Sequence, residues 1–153
     1  MNVKLKKINI QNIHPELKVK KNTIQLLVKN ILTFEKTNSG VDVIFVDDKF
    51  MKRLNQRFTK RDKTTDVLSF GMREGKPAVI EYSNLGDIYV SLDQAKSQAE
   101  EYGVGFQEEV GRLVAHGLLH LLGYEHTSKG EEDIMREKEE LYLKKTKKFL
   151  EAS

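Results

Sequence analysis

Apolar residues follow two alternating spacings along the chain, which predict strands and helices in turn. Rough alternation over residues 2–10 predicts a strand. Helical spacing over 17–32 predicts a helix that Pro15 could open at its first turn. The β-branched run 41–46 predicts a buried strand, and Asp47-Asp48 can cap the helix that follows it. The inner face of this helix would carry Phe50, Met51, Leu54 and Phe58.

The second half of the chain predicts further short strands and then mostly helices. Strands are expected over 66–70 and 88–90, with a short edge strand or hairpin arm over 78–82. A polar helix should start at Ser91 or Asp93 and run to about residue 101.

Two longer helices follow. One is expected over about 106–122 and should end at Gly123, because glycine often follows the last residue of a helix. The last helix should begin near Ser128, which has capping-box spacing to Glu131. This order predicts an α+β fold: a single layered domain over 1–153, with one mixed sheet of about four or five strands packed with helices.

Composition narrows the class of protein. The 153 residues are 39% hydrophobic, which is enough to form a core, and the absence of cysteine excludes disulfides and thiolate metal sites. No apolar run approaches the ~20 residues of a membrane helix, and the N-terminus does not resemble a signal peptide. We therefore expect a cytoplasmic protein without membrane association; its oligomeric state is left open.

Basic residues cluster locally although the net charge is only +3. The cluster consists of Lys52, Arg53, Arg57, Lys60, Arg61 and Lys63. It could bind a nucleic-acid backbone or be a solvated surface, and before other observations the two interpretations weigh about equally.

Three histidines predict a metal site. On a helix, His116 and His120 lie ~40° apart and one turn from each other, so that both imidazoles can reach one ion. A break at Gly123 could turn the chain back and deliver His126. Three imidazoles and one open position are typical of catalytic zinc, so we expect one zinc ion here; the alternative is three unrelated histidines.

The spacing of the three histidines and Gly123 equals that of the metzincin protease motif, H-E-x-x-H-x-x-G-x-x-H. The glutamate of that motif, the general base of the protease, is replaced here by Gly117. This difference argues against peptide hydrolysis and leaves the general base unassigned. Glu109 and Arg112 lie on the histidine side of the helix, where they could support a ligand or simply pair with each other.

The segment HGLLHLLGYEH resembles the signature of the YbeY family of bacterial metal-dependent endoribonucleases. Leu54-Asn55 with residues 65–70 (TDVLSF), and residues 85–88 (LGDI), resemble two further blocks of that family. The resemblance implies zinc bound by the three histidines, RNA as substrate, and a role in ribosomal RNA maturation and ribosome quality control.

The chain departs from the family pattern at two positions. Glu125 replaces the usual aspartate, and Thr59 replaces an arginine that the family uses for cleavage. Arg57 or Arg61 could supply the missing charge and bind substrate. The alternatives to a nuclease are a zinc hydrolase acting on peptides or small molecules and a non-enzymatic, ribosome-associated metalloprotein.

Overall fold

The computed structural model describes residues 7–59, 64–72 and 84–151, with side chains described up to residue 147. The strands are β1 (Ile8–Asn12), β2 (Gly40–Val46), β3 (Val67–Gly71) and β4 (Asn84–Ser91). The helices are α1 (Lys21–Phe34), α2 (Asp48–Thr59), α3 (Leu92–Tyr102), α4 (Phe106–Leu121) and α5 (Lys129–Glu151).

The strands of the described ranges form one mixed sheet in the order β1-β2-β4-β3. β1 and β4 both pair with β2 in parallel, and β3 pairs with β4 antiparallel. The predicted α+β fold with a mixed sheet is confirmed, and its four described strands agree with the expected number.

The two faces of the sheet are covered by different helices. Alternate residues of β2 and β4, among them Val43 and Ile88, are fully buried in the core with α1 and α4. Tyr89 and Phe70 point to the opposite face, where α2 packs on them. There Phe50 stacks on Tyr89 at 6.1 Å, and Phe58 lies 5.1 Å from Phe70 between ring centroids. The sheet therefore separates α2 from α4.

Two expectations about the helices are wrong. Pro15 does not open α1, which begins at Lys21, because the ring of His14 accepts the backbone N–H groups of Glu16 and Leu17 at 3.1 and 2.9 Å and holds a turn there. Phe58 does face the sheet and packs on Phe70, but it is not buried: it is 57% exposed, because α2 reaches the outermost described strand at its C-terminal end.

Other bounds differ by a few residues. β1 begins within the range predicted for the first strand and continues to Asn12, whereas residues 1–6 and the predicted arm over 78–82 lie outside the described residues. Ser91 is one of the two predicted starts of α3, and its hydroxyl caps this helix by accepting the Gln94 N–H. In the described part of the chain, no helix has the length and apolar character to cross a bilayer.

Two aspartates face each other on the α2 side of the sheet and should cost stability at neutral pH. Asp42 and Asp87 are register partners on β2 and β4. Burial, together with repulsion from Asp42, raises the pKa of Asp87. A raised carboxyl pKa means that the folded state loses stability as pH rises from the ordinary range through the raised value.

We therefore expect Asp87→Asn to stabilise the fold at neutral pH, by up to ~1 kcal/mol, and to have no such effect at acidic pH. Urea unfolding at both pH values measures this. Asp93→Asn is the control, because the pKa of Asp93 is shifted in the opposite direction from that of Asp87. Burial acts to raise the pKa of Asp93, but hydrogen bonds from His14 and the Asp48 backbone lower it overall. Its removal should therefore destabilise at neutral pH. Equal effects of the two substitutions would contradict this account.

Candidate metal centre

The end of α4 brings the histidine segment back on itself. His116 and His120 lie one turn apart on α4, and Gly123 follows with φ of 104°. The Gly123 and Tyr124 N–H groups donate to the carbonyls of His120 and Leu119, both at 3.0 Å. These two bonds form a Schellman motif, which requires the left-handed conformation that glycine adopts at little cost. The predicted helix break at Gly123 is confirmed.

The turn brings the imidazole of His126 near those of His116 and His120 on α4. The His126 ring centroid lies 5.4 Å from that of His116 and 6.2 Å from that of His120. As placed, no three His, Asp or Glu side chains in the described ranges form a group that could hold a metal ion. The three-histidine ligand set therefore stays a prediction.

The donor chemistry fits a metal such as zinc. Imidazole nitrogen is a preferred zinc ligand. His120 Nδ1 is buried and has no hydrogen-bond partner within the described part of the chain. A buried ring nitrogen without a partner is costly, and a bound ion beside the ring would offset that cost.

A chain of charged groups orients His116. Glu139 of α5 lies with its Oε2 3.1 Å from His116 Nδ1, and its Oε1 is 3.6 Å from Arg112. Arg112 in turn donates two hydrogen bonds, at 2.9 and 2.5 Å, to Glu109. Both glutamates are buried, so the guanidinium between them balances charges that could not otherwise be accommodated. Donation from Nδ1 to Glu139 leaves Nε2 of His116 available as a ligand.

The structure contains the ion pair that the sequence offered as one interpretation, and it adds a third residue to that pair. Glu109 and Arg112 are an ion pair, and Arg112 also links that pair through Glu139 to His116. Sequence analysis missed Glu139 because it lies 23 residues from His116 on another helix. No spacing rule within one element could have found it.

A second polar cluster fixes the turn that carries His126. Glu35, just after α1, accepts hydrogen bonds from Tyr124 at 2.7 Å, from Lys138 at 3.3 Å and from Tyr142. Burial acts to raise the pKa of Glu35, but the bonds from Tyr142, Tyr124 and Lys138 hold it below its usual value. The carboxylate therefore ties α1, the Gly123 turn and α5 together at neutral pH.

A cleft of ≈ 340 Å³ opens beside the histidines. Its walls come from α4, the segment after Gly123, and α5. Its polar lining includes Arg112, His116, His126, Glu132, Arg136, Glu139 and Glu140. A substrate could therefore approach two of the three imidazoles from this side.

Gly117 lies where the protease motif has its glutamate, and the structure leaves no room there for a side chain. A Cβ on Gly117 would lie 2.7 Å from Ile88 Cγ2, 3.0 Å from Ser69 Oγ and 3.2 Å from Val67 Cγ2. Ser69 also donates to the Gly117 carbonyl at 3.2 Å. Close contact between α4 and the sheet thus requires glycine and excludes the general base of a metzincin.

The remaining candidate residues lie apart from the histidines or outside the described ranges. Arg57 is exposed on α2, across the sheet from α4, and Arg61 lies outside the described residues. Thr59 ends α2 with its hydroxyl donating to the Asn55 carbonyl at 2.7 Å. His14, which is 6% exposed at its side chain, bonds to Asp93 at 3.0 Å and has a structural role.

Comparison with known proteins gives one consistent result. The family described as "Endoribonuclease YbeY" matches residues 9–147. A protein of that name from Desulforamulus reducens is 41% identical over 145 residues, covering 89% of this chain and 94% of its own. One from Salinibacter ruber is 35% identical and covers 89% of each chain. The solution structure of a Thermotoga maritima protein superposes with a TM-score of 0.67 at 31% identity, covering 92% of this chain and 89% of that one.

Proposed function

The chain belongs to the YbeY family, and from this premise we propose that it is a zinc-dependent endoribonuclease that cleaves single-stranded RNA. His116, His120 and His126 would hold one zinc ion. The observation that carries the proposal is the approach of the His126 ring to the rings of His116 and His120 on α4, with His116 and His126 lining an open cleft.

Each part of the centre has a task in this proposal. Glu139 fixes His116 through Nδ1 and so leaves Nε2 for the ion, and Arg112, which is paired with Glu109, holds Glu139 in place. A bound zinc ion would activate water and stabilise negative charge on a phosphoryl oxygen. The cleft would admit the RNA backbone beside His116 and His126.

We assign ribosomal RNA as the substrate and the cytoplasm as the location, with a role in ribosomal RNA maturation and ribosome quality control. The substrate and the role follow from the family resemblance, whereas the location is the expectation from the sequence alone. Arg57 and Arg61 are proposed as phosphate contacts, in place of the arginine absent at Thr59. Such contacts weaken with salt and depend little on base sequence.

A peptidase is disfavoured by the same geometry. The position of the protease's general base is Gly117, where a Cβ would collide with Ile88. The family relationship and the missing base therefore favour the same choice of substrate.

The test is cleavage of single-stranded RNA, duplex RNA and a generic protease substrate by zinc-replete protein. We expect cleavage of the single strand alone, lost in His116→Ala and on zinc removal. Peptide release, or RNA cleavage that persists in His116→Ala, would overturn the proposal.

A further inference from the structure

One flank of α2 combines exposed positive charge with aromatic rings that pack on the sheet. α2 lies wholly within the described residues, and every exposed charged side chain on it is basic. These side chains are Lys49, Lys52, Arg53 and Arg57. A surface of one sign attracts a polyanion at long range.

An exposed aromatic ring lies at the end of this surface. Phe58 is 57% exposed, yet its position is fixed by Phe70, whose ring centroid is 5.1 Å away. The Arg57 guanidinium lies 5.6 Å from the Phe58 centroid. The Phe58 ring is thus fixed by Phe70, has the Arg57 guanidinium over it and is still largely exposed, so that another flat group can pack against it beside the arginine.

An apolar cleft on α2 has Arg57 in common with this ring. It measures ≈ 240 Å³ and is lined by Phe50, Arg53, Leu54 and Arg57. Its walls are thus an aromatic ring and a leucine, and two guanidinium groups are available for phosphate.

We propose that this side of α2 (the α2 surface: Phe50, Arg53, Leu54, Arg57 and Phe58) binds single-stranded RNA. An unpaired base stacks on Phe58, and Arg53 and Arg57 contact the phosphates beside it. Binding of single strands by a basic groove with stacking aromatics is a general solution in proteins. The inference rests on the proposed function for its substrate, and it supplies a reason for single-strand preference, because a base inside a duplex cannot stack on Phe58.

The position of Phe58 relates the α2 surface to the histidines. Phe58 packs on Phe70, and the next residue along β3, Ser69, contacts Gly117 of α4 from the other face of the sheet. β3 is the outermost of the described strands on this side. An RNA strand held on Phe58 would therefore need only to pass around β3 to approach α4, next to His116.

The observations favour RNA over a protein partner. A surface that binds a folded protein through apolar contact has no need of a helix with four exposed cations and no exposed acid. Stacking flanked by arginine is the combination that unpaired nucleotides use.

The test measures binding of a labelled single-stranded RNA of roughly 12 nucleotides by fluorescence anisotropy, in chelator so that no cleavage occurs. Phe58→Ala should raise Kd by about 5- to 100-fold, and Phe58→Leu should recover little of this because it restores apolar area but no ring. Arg53→Gln with Arg57→Gln should reduce the magnitude of the slope of log K against log salt by about 1.4, because each phosphate contact on a single strand contributes about 0.7.

Matched controls come from the opposite side of the molecule. Phe34 is 55% exposed and has the Lys145 ammonium 3.2 Å from its ring centroid, so Phe34→Ala removes an equally exposed aromatic beside a cation. Lys21→Gln with Lys29→Gln removes two exposed charges from α1. Both controls should leave Kd nearly unchanged. An oligomer with abasic sugars should bind parent and Phe58→Ala alike.

An unchanged Kd in Phe58→Ala, or an equal loss in Phe34→Ala, would overturn the inference and leave a protein as the occupant of the α2 surface. Failure of the proposed function is seen separately, in the parent protein with zinc. Absence of cleavage there would contradict the nuclease assignment without changing the binding result.

Discussion

Substitution of His120 by alanine is expected to weaken zinc binding by more than the roughly 10- to 100-fold that loss of a ligand's orienting partner costs. The reason is that His120 would be a ligand itself, with one ring nitrogen buried and lacking any other partner in the described structure. The fold should survive, because the core around α4 is formed by its apolar residues. Competition with a chromophoric zinc chelator measures the affinity, and circular dichroism of the metal-free protein checks the fold.

Glu139→Ala should give the intermediate effect, a loss of about 10- to 100-fold. It removes the carboxylate that fixes His116 Nδ1, and it leaves Arg112 without one of its two partners. Glu140→Gln is the matched control, because Glu140 lines the same cleft but is exposed. If Glu139→Ala and Glu140→Gln bind zinc equally well, Glu139 does not position a ligand.

The same series can be followed by thermal unfolding. A metal that binds only the folded state raises the unfolding temperature by mass action. A chelator should therefore lower that temperature in the parent and in Glu140→Gln, less in Glu139→Ala, and least in His120→Ala. Parent protein loaded with zinc that shows no shift with chelator would contradict zinc binding by the folded state.

Local spacing is sufficient to predict the parts of this centre that lie on one element. The i, i+4 relation of His116 and His120 and the break at Gly123 depend on helix geometry alone, and the structure has both the α4 helix and the turn. The strand over residues 41–46 and the Ser91 cap are likewise predictable from nearby residues.

The parts that sequence could not supply depend on how elements pack. Glu139 approaches His116 only because α5 lies along α4, and the Tyr124–Glu35 bond joins residues 89 positions apart. The expected burial of Phe58 is wrong for the same reason. Helical spacing predicts which side chains of α2 face the sheet, but the order of the strands decides whether the sheet extends far enough to cover them. The expectation for Pro15 is wrong because a side chain, His14, captures the backbone groups that a helix start would have used.

Gly117 is understood only from sequence and structure together. The sequence shows that the glutamate of the protease motif is absent, and the structure shows that no side chain would fit in its place. A Cβ at this position would lie 2.7 Å from Ile88 and 3.0 Å from Ser69, too close for α4 to keep its place on the sheet. We expect Gly117→Ala to destabilise the fold by about 1–3 kcal/mol, the usual cost of overpacking a core. Gly117→Glu should prevent folding, since it adds a buried charge without a partner as well.

Urea unfolding of Gly117→Ala beside Gly130→Ala measures this expectation. A Cβ on Gly130, in the first turn of α5, would meet nothing within 4 Å, so that substitution should leave stability unchanged or slightly raise it. A shift of α4 away from β3 and β4 would also displace His116, so Gly117→Ala should weaken zinc binding along with stability. A Gly117→Ala protein as stable as the parent would mean that α4 does not lie this close to the sheet. A folded Gly117→Glu protein with peptidase activity would show that the missing base, and not the packing, is what separates this centre from a metzincin protease.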